Sequence, residues 1–97
     1  MYEIEFTPEA FEDLKAFRKF EQNTIIDSIE AQLKHEPMVE TRQRKQLRPN
    51  DVAEWELRLG KFRVFYNVEE AALMVSIEAV GFKTGNLLFI RGEKRDL

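Results

Sequence analysis

The 97-residue chain contains no cysteine. That excludes disulfide staples, thiolate zinc sites and a cysteine nucleophile. His35 is the only histidine, so a histidine-rich metal site and a pair of acid–base histidines are excluded as well. Long apolar runs are also missing. The longest, Ala71–Val75, is far short of the roughly 20 residues a membrane span needs. The opening Tyr2–Glu3–Ile4–Glu5–Phe6 carries neither a basic segment nor an apolar stretch. No signal peptide is therefore expected, and the cytoplasm is the expected location. No excess of positive charge surrounds the chain: 15 Lys and Arg stand against 18 Asp and Glu, a net charge of −3. A uniformly basic nucleic-acid binder is excluded on that ground.

What is present suffices for one packed domain over residues 1–97. Apolar residues make up 43% of the chain, and a chain of this size buries roughly 60–68% of its unfolded surface. No internal repeat, linker or low-complexity stretch interrupts it. The charge is unevenly spread. Residues 1–37 hold nine acids and four bases, residues 38–63 seven bases and four acids, and residues 64–97 five acids and four bases. The middle third reads either as the one anion-facing region or as a solvated loop rich in arginine. It contains Arg42, Arg44, Lys45, Arg48, Arg58, Lys61 and Arg63.

Tyr2, Ile4 and Phe6 alternate with Glu3 and Glu5, which predicts a strand. Thr7–Pro8–Glu9 starts a helix, with a hydroxyl cap, a proline at the first helical position and an acid in the first turn. Ala10, Phe11, Leu14 and Phe17 extend it over 8–19, and Phe20–Asn23 forms a short connection. Ile25, Ile26, Ile29 and Leu33 mark a second, antiparallel helix that ends before Pro37. Residues 37–53 read as a basic loop with a short strand near Lys45–Leu47. Trp55, Leu57 and Leu59, then Phe62, Val64, Tyr66 and Val68, alternate on either side of a Gly60–Lys61 turn that suits type II′. A last strand is expected over Leu73–Val80. The order β-α-α-β-β-β predicts an α+β domain. Its two-helix antiparallel hairpin packs on one face of a mainly antiparallel four-stranded sheet, whose other face stays open.

The turn at 60–61 pairs Leu59 with Phe62, and so places Arg58 opposite Arg63 and Glu56 opposite Phe65. A four-residue loop between Val68 and Leu73 would bring Arg63 opposite Glu78. The row Arg58–Arg63–Glu78 on the open face reads in two ways. It is either a cross-strand ion ladder neutralised by Glu56 and Glu78, or a concave surface whose guanidiniums fork onto phosphate oxygens. Gly81–Asn86 lacks the spacing of a nucleotide-binding P-loop but sets Lys83 at the sheet end nearest the basic hairpin. Leu87–Ile90 is either a tail tucked on the core or, through Phe89, a platform for a stacked base.

The segments Leu47–Arg48, Trp55–Tyr66 and Val80–Lys83, in that order of elements, resemble the RelE/ParE superfamily of small toxins over essentially the whole chain. The resemblance implies the toxin half of a type II toxin–antitoxin pair, with a cognate antitoxin as partner. RelE-like members cut mRNA in the ribosomal A site without a metal, whereas ParE-like members poison DNA gyrase. The family's strand arginine falls on Arg63, the arginine closing the preceding strand on Arg58, the basic residue after the last strand's glycine on Lys83, and the C-terminal aromatic nearest Phe89. Glu54 and Glu56 stand where RelE carries two lysines. Neither metal nor cofactor is expected. Cleavage would proceed by attack of the RNA 2′-OH on the adjacent phosphate. Arg63 and Arg58 would stabilise the charge, Glu56 or Glu78 would act as base, and Lys83 or Lys45 as acid; His35, at a helix end, is a weaker candidate base. Arg42, Arg44, Lys45, Arg48, Lys61 and Phe89 would hold the RNA. The alternatives are a ParE-like toxin that acts by binding gyrase, and a member that binds only its antitoxin.

Overall fold

The computed structural model describes residues 1–97. Strand β1 (Glu3–Phe6) leads into helices α1 (Pro8–Lys15) and α2 (Lys19–Leu33). Strands β2 (Arg44–Gln46), β3 (Trp55–Leu59), β4 (Phe62–Glu69), β5 (Met74–Thr84), β6 (Leu87–Ile90) and β7 (Glu93–Arg95) follow. The six are neighbours in chain order and antiparallel, while β1 runs parallel to the first part of β5. The class is the expected α+β, but the sheet has seven strands rather than four. The additions are short: β2, where a strand was expected near Lys45–Leu47, and the hairpin β6–β7, which was not expected.

Local chemistry sets the helix boundaries. The Ala10 N–H donates to Thr7 Oγ1 at 3.1 Å and Pro8 takes the first helical position. Helix α1 stops at Lys15, not residue 19. The N–H groups of Ala16 and Phe17 close tight bonds onto Asp13 and Leu14, and Arg18 is extended. Glu21 accepts the Arg18 N–H at 3.1 Å, and α2 opens at Lys19, five residues before the expected start. The early break swings Phe17 onto the sheet, edge-on to Phe62 with ring centres 5.2 Å apart.

Ile25, Ile29 and Leu33 of α2, with Ala10 and Leu14 of α1, cover one sheet face. That face presents Trp55, Leu57, Val64, Tyr66, Val75 and Ile77. The buried Tyr66 hydroxyl donates to the Pro37 carbonyl at 2.6 Å, and burial pushes its ionisation up. The opposite face is not fully open, contrary to expectation. Phe65, Ala79, Leu88, Ile90 and Ala53 form a second small core there, edged by Leu47, Val52 and Leu97. The C-terminal hairpin extends the sheet beside β5, and alternation along β6 turns Leu88 and Ile90 to that side and Leu87 and Phe89 to the other.

The β3–β4 register is the expected one, with Arg58 opposite Arg63 and Glu56 opposite Phe65. The β4–β5 register differs. Glu69 pairs with Met74, and a β-bulge beside Phe65 and Tyr66 inserts Glu78 as an extra residue. Arg63 therefore faces Gly81, not Glu78. At Gly81 the strands come so close that a Cβ would run into the Phe89 carbonyl oxygen, which only glycine avoids.

Candidate functional site

The parity of the strands decides which cations meet. Lys45 lies opposite Glu56, Arg58 opposite Arg63, and Lys83 follows Gly81 on the same face two residues later. Together with Arg48 from the loop after β2 and Arg95 of β7, they form a cleft of about 380 Å³ on the face away from the helices. Lys45, Arg48, Arg58, Lys83 and Arg95 line it, against the carboxylates of Glu56 and Asp96. A concave surface with five cationic and two acidic side chains is suited to a polyanion, although the molecule as a whole is acidic.

Arg58 and Arg63 avoid each other by turning apart. Arg58 Nε donates to Glu56 Oε1 at 3.0 Å, leaving the guanidinium half-exposed. The Glu56 carboxylate is only 8% exposed. Arg63 folds toward the hairpin turn and donates through Nη1 to the carbonyls of Gly60 at 2.6 Å and Phe62 at 2.9 Å. Its Nε is buried with no partner. Thus the register brings the two arginines side by side, but only Arg58 lines the cleft. The Arg58–Glu56 pair lies within β3, so the expected cross-strand ladder with Arg63 and Glu78 is not formed.

Other expected residues lie elsewhere. Arg44 shares the helix-facing side with Leu57 and donates to the carbonyls of Gln32 at 2.6 Å and Val39 at 3.0 Å, where it satisfies the end of α2. Lys61 turns toward α2, 3.4 Å from Glu21. Phe89 lies on the helix side, stacked on Phe82 with centres 5.6 Å apart. Glu78 sits on the bulge, where the Ser76 hydroxyl donates to it at 2.7 Å, outside the cleft. Arg42 is exposed in the loop before β2. His35 is exposed beyond the end of α2.

The sequence reading missed Arg95 and Arg91. Arg95 joins the cleft and pairs with Asp51 of the loop before β3, outside it. Arg91 and the buried Asp13 complete an open stretch of strand edge. The outer edge of β5 is covered by β1 up to Ile77 and by β6 from Phe82. Between them, Asp13 Oδ2 accepts the Val80 N–H at 3.1 Å, and Arg91 Nη2 donates to the Glu78 carbonyl at 3.0 Å. Arg91 Nε also donates to Asp13 Oδ1 at 3.0 Å. Burial pushes the Asp13 carboxyl above its ordinary value, and the Val80 N–H and Arg91 hold it back. The sequence signal was Arg91–Gly92, a turn with both residues at positive φ between two short strands.

Residues 4–83 match the family described as the ParE toxin of the type II toxin–antitoxin system, parDE. The chain belongs to the RelE/ParE superfamily of type II toxins. Among solved structures, this toxin is similar to a chain of the toxin–antitoxin complex RelBE2 from Mycobacterium tuberculosis. The TM-score is 0.73 at 24% identity, over 84% of this chain and 98% of that one. It is also similar to a chain of the YoeB–YefM complex from Staphylococcus aureus, with a TM-score of 0.64 at 20% identity over 87% and 99%. A second structure of that complex, a heterotetramer, gives the same figures. At these identities the likeness is one of fold. No curated relative matches the toxin in sequence. The family match ends at Lys83, so the β6–β7 hairpin, with Arg91 and Arg95, lies outside it.

Proposed function

We propose that the toxin is an endoribonuclease that cuts mRNA on the ribosome, in the A site, and so inhibits translation in the cytoplasm, and that a cognate antitoxin binds it. The observation that carries this reading is the cleft itself, where Lys45, Arg48, Arg58 and Lys83 surround a nearly buried carboxylate. In the proposed step the RNA 2′-oxygen bonds to the adjacent phosphorus and the bond to the 5′-oxygen breaks. The products are a 2′,3′-cyclic phosphate and a free 5′-hydroxyl. Glu56 takes the 2′-OH proton, for which Oε2 is free of hydrogen bonds while Arg58 holds Oε1. Lys83 or Lys45 gives a proton to the departing oxygen. Arg58 and Arg48 stabilise the charge that builds on phosphorus, so the cationic groups rather than a metal carry that load. Arg63 supports the hairpin that presents Arg58, and would join the RNA contacts by exchanging the Gly60 carbonyl for a phosphate.

A second reading is favoured by the arginine contacts within the molecule and by the ParE description of the matched family. On that reading the toxin acts by binding DNA gyrase, without chemistry. Expression of the toxin alone should arrest growth, and the neighbouring gene should relieve the arrest. Mapping mRNA 5′ ends in arrested cells separates the two. Codon-phased cuts are the expected result; DNA double-strand breaks with intact mRNA would turn the assignment to gyrase.

A further inference from the structure

The basic cleft holds one charge that opposes its use by a polyanion. Of its two acidic residues, Glu56 is nearly buried and bound to Arg58. Asp96 is exposed and enters none of the ion pairs of the molecule. A free carboxylate in such a place repels the phosphates that the surrounding cations attract. Its position is nevertheless fixed. Arg95, the residue before it, is held by Asp51. Leu97, the residue after it, packs on the small core of Phe65, Ala79, Leu88 and Ile90. Asp96 is thus anchored from both sides. The cleft is bounded by Lys45, Gln46 and Arg48 at the β2 end of the sheet and by Arg95 and Asp96 at the β7 end. Its two ends therefore differ: one offers an RNA strand only cations and an amide, the other adds an acceptor that no group of the protein occupies.

We infer that Asp96 reads the base of a nucleotide whose phosphate the cleft cations hold, and that it selects guanine. The inference rests on the RNA reading above. A carboxylate has two acceptor oxygens and no donor. Unpaired RNA bases present their Watson–Crick edges to a protein. Guanine alone offers two adjacent donors there, N1–H and the 2-amino group, and so engages both oxygens at once. Adenine and cytosine set a ring-nitrogen acceptor beside their one amino donor. Uracil sets a carbonyl on either side of its one N–H. Each of these three would turn a lone pair toward a carboxylate oxygen, which a site built on acceptors rejects. Repulsion of phosphate acts in the same direction, because it keeps the backbone on the cations and leaves the carboxylate to the base. Asp96 lies beyond residues 4–83, so the family match assigns it no part.

The test compares the full-length toxin with Asp96→Ala and Asp96→Asn, changes at an exposed position that should leave folding intact. Binding is measured with short single-stranded RNAs, 2′-O-methylated so that they cannot be cut. Each carries one guanine, inosine or adenine in a uridine strand. Cutting is measured on ribosomes programmed with mRNAs that differ in the same base. The wild-type toxin should bind the guanine probe about thirtyfold more tightly than the adenine probe. Inosine, which lacks the 2-amino group, should cost about tenfold. Asp96→Ala should lose the preference while holding adenine at least as tightly, since a repelling charge is gone. Asp96→Asn should turn the preference toward adenine, because an amide sets one donor and one acceptor against N1 and the 6-amino group. Cutting should follow the same order. A carboxylate with a merely structural part would weaken all probes alike. That result, a wild-type toxin without preference for guanine, or a preference that survives in both variants overturns the assignment of Asp96, even where cutting persists. Guanine-selective binding that depends on Asp96, without cutting on ribosomes, supports the assignment and overturns the nuclease reading. A toxin that binds none of the RNAs overturns both.

Discussion

Asp13 shows how one side chain completes a sheet. Its carboxylate is 4% exposed and takes the place of a strand at Val80, while its other oxygen holds Arg91. Asp13→Ala leaves a buried N–H unpaired, and should cost about 1–3 kcal/mol in denaturant unfolding. Its pH dependence has a definite sign. Burial raises the folded carboxyl above 3.8, so the folded state holds the proton more readily than the unfolded chain. The contribution from this raised value is fully present below pH 3.8 and is lost as pH rises through the folded value. The unfolding free energy of wild type minus that of Asp13→Asn should therefore fall as pH rises from below 3.8 toward neutrality. A difference that grows with pH would contradict this account of Asp13.

At the scale of elements, the β5–β6 contact depends on Gly81. Gly81→Ala sets a methyl against the Phe89 backbone, where no flexible side chain can give way. It should destabilise the C-terminal hairpin by about 1–3 kcal/mol, seen as faster amide exchange in β6 and β7 while β3 and β4 stay protected. Equal protection throughout would show that the strands absorb the methyl. The same elements show which parts were legible from sequence. The hairpin Trp55–Val68 was readable because alternation and a turn glycine are local signals, and Gly60 does adopt positive φ. The β4–β5 register was not, because the bulge at Glu78 is supported by Arg91 and Asp13 from distant parts of the chain. Strand β6 reads as an unbroken apolar run, so the sequence carries no alternation to show that Leu88 and Ile90 are buried while Leu87 is exposed. Within the basic loop, the strand β2 separates Arg44 from Lys45 by parity, whereas the expected short strand near Lys45–Leu47 left Arg44 outside it and had no pairing partner to fix its faces. That is why the charge segment was visible, but not which of its members share the cleft.

As a whole molecule, the toxin keeps its charges apart. The acidic helical third, with Glu9 and Glu12, lies on one layer, and the basic side chains of the cleft lie on the other. Such separation lets a protein of net charge −3 present a local positive surface to a polyanion. The resemblance drawn from the hairpin motif located the family, and the strand Phe62–Tyr66 after the glycine turn was its most specific part. The structure divides the role of that motif: Arg58 opens to the cleft and Arg63 braces the turn. Binding that uses the five cleft cations should fall with salt at a log–log slope of about −3.5, since roughly 0.7 ions are released per contact on a single strand.

The central claim is that the cleft, not the basic loop at large, is where RNA is held and cut. Cleavage of ribosome-bound mRNA by purified toxin should fall about 100-fold or more for Arg58→Ala and for Lys83→Ala. It should change little for Arg42→Ala, whose side chain is exposed outside the cleft. Full cleavage by Arg58→Ala and Lys83→Ala, or an equal loss with Arg42→Ala, would contradict the claim.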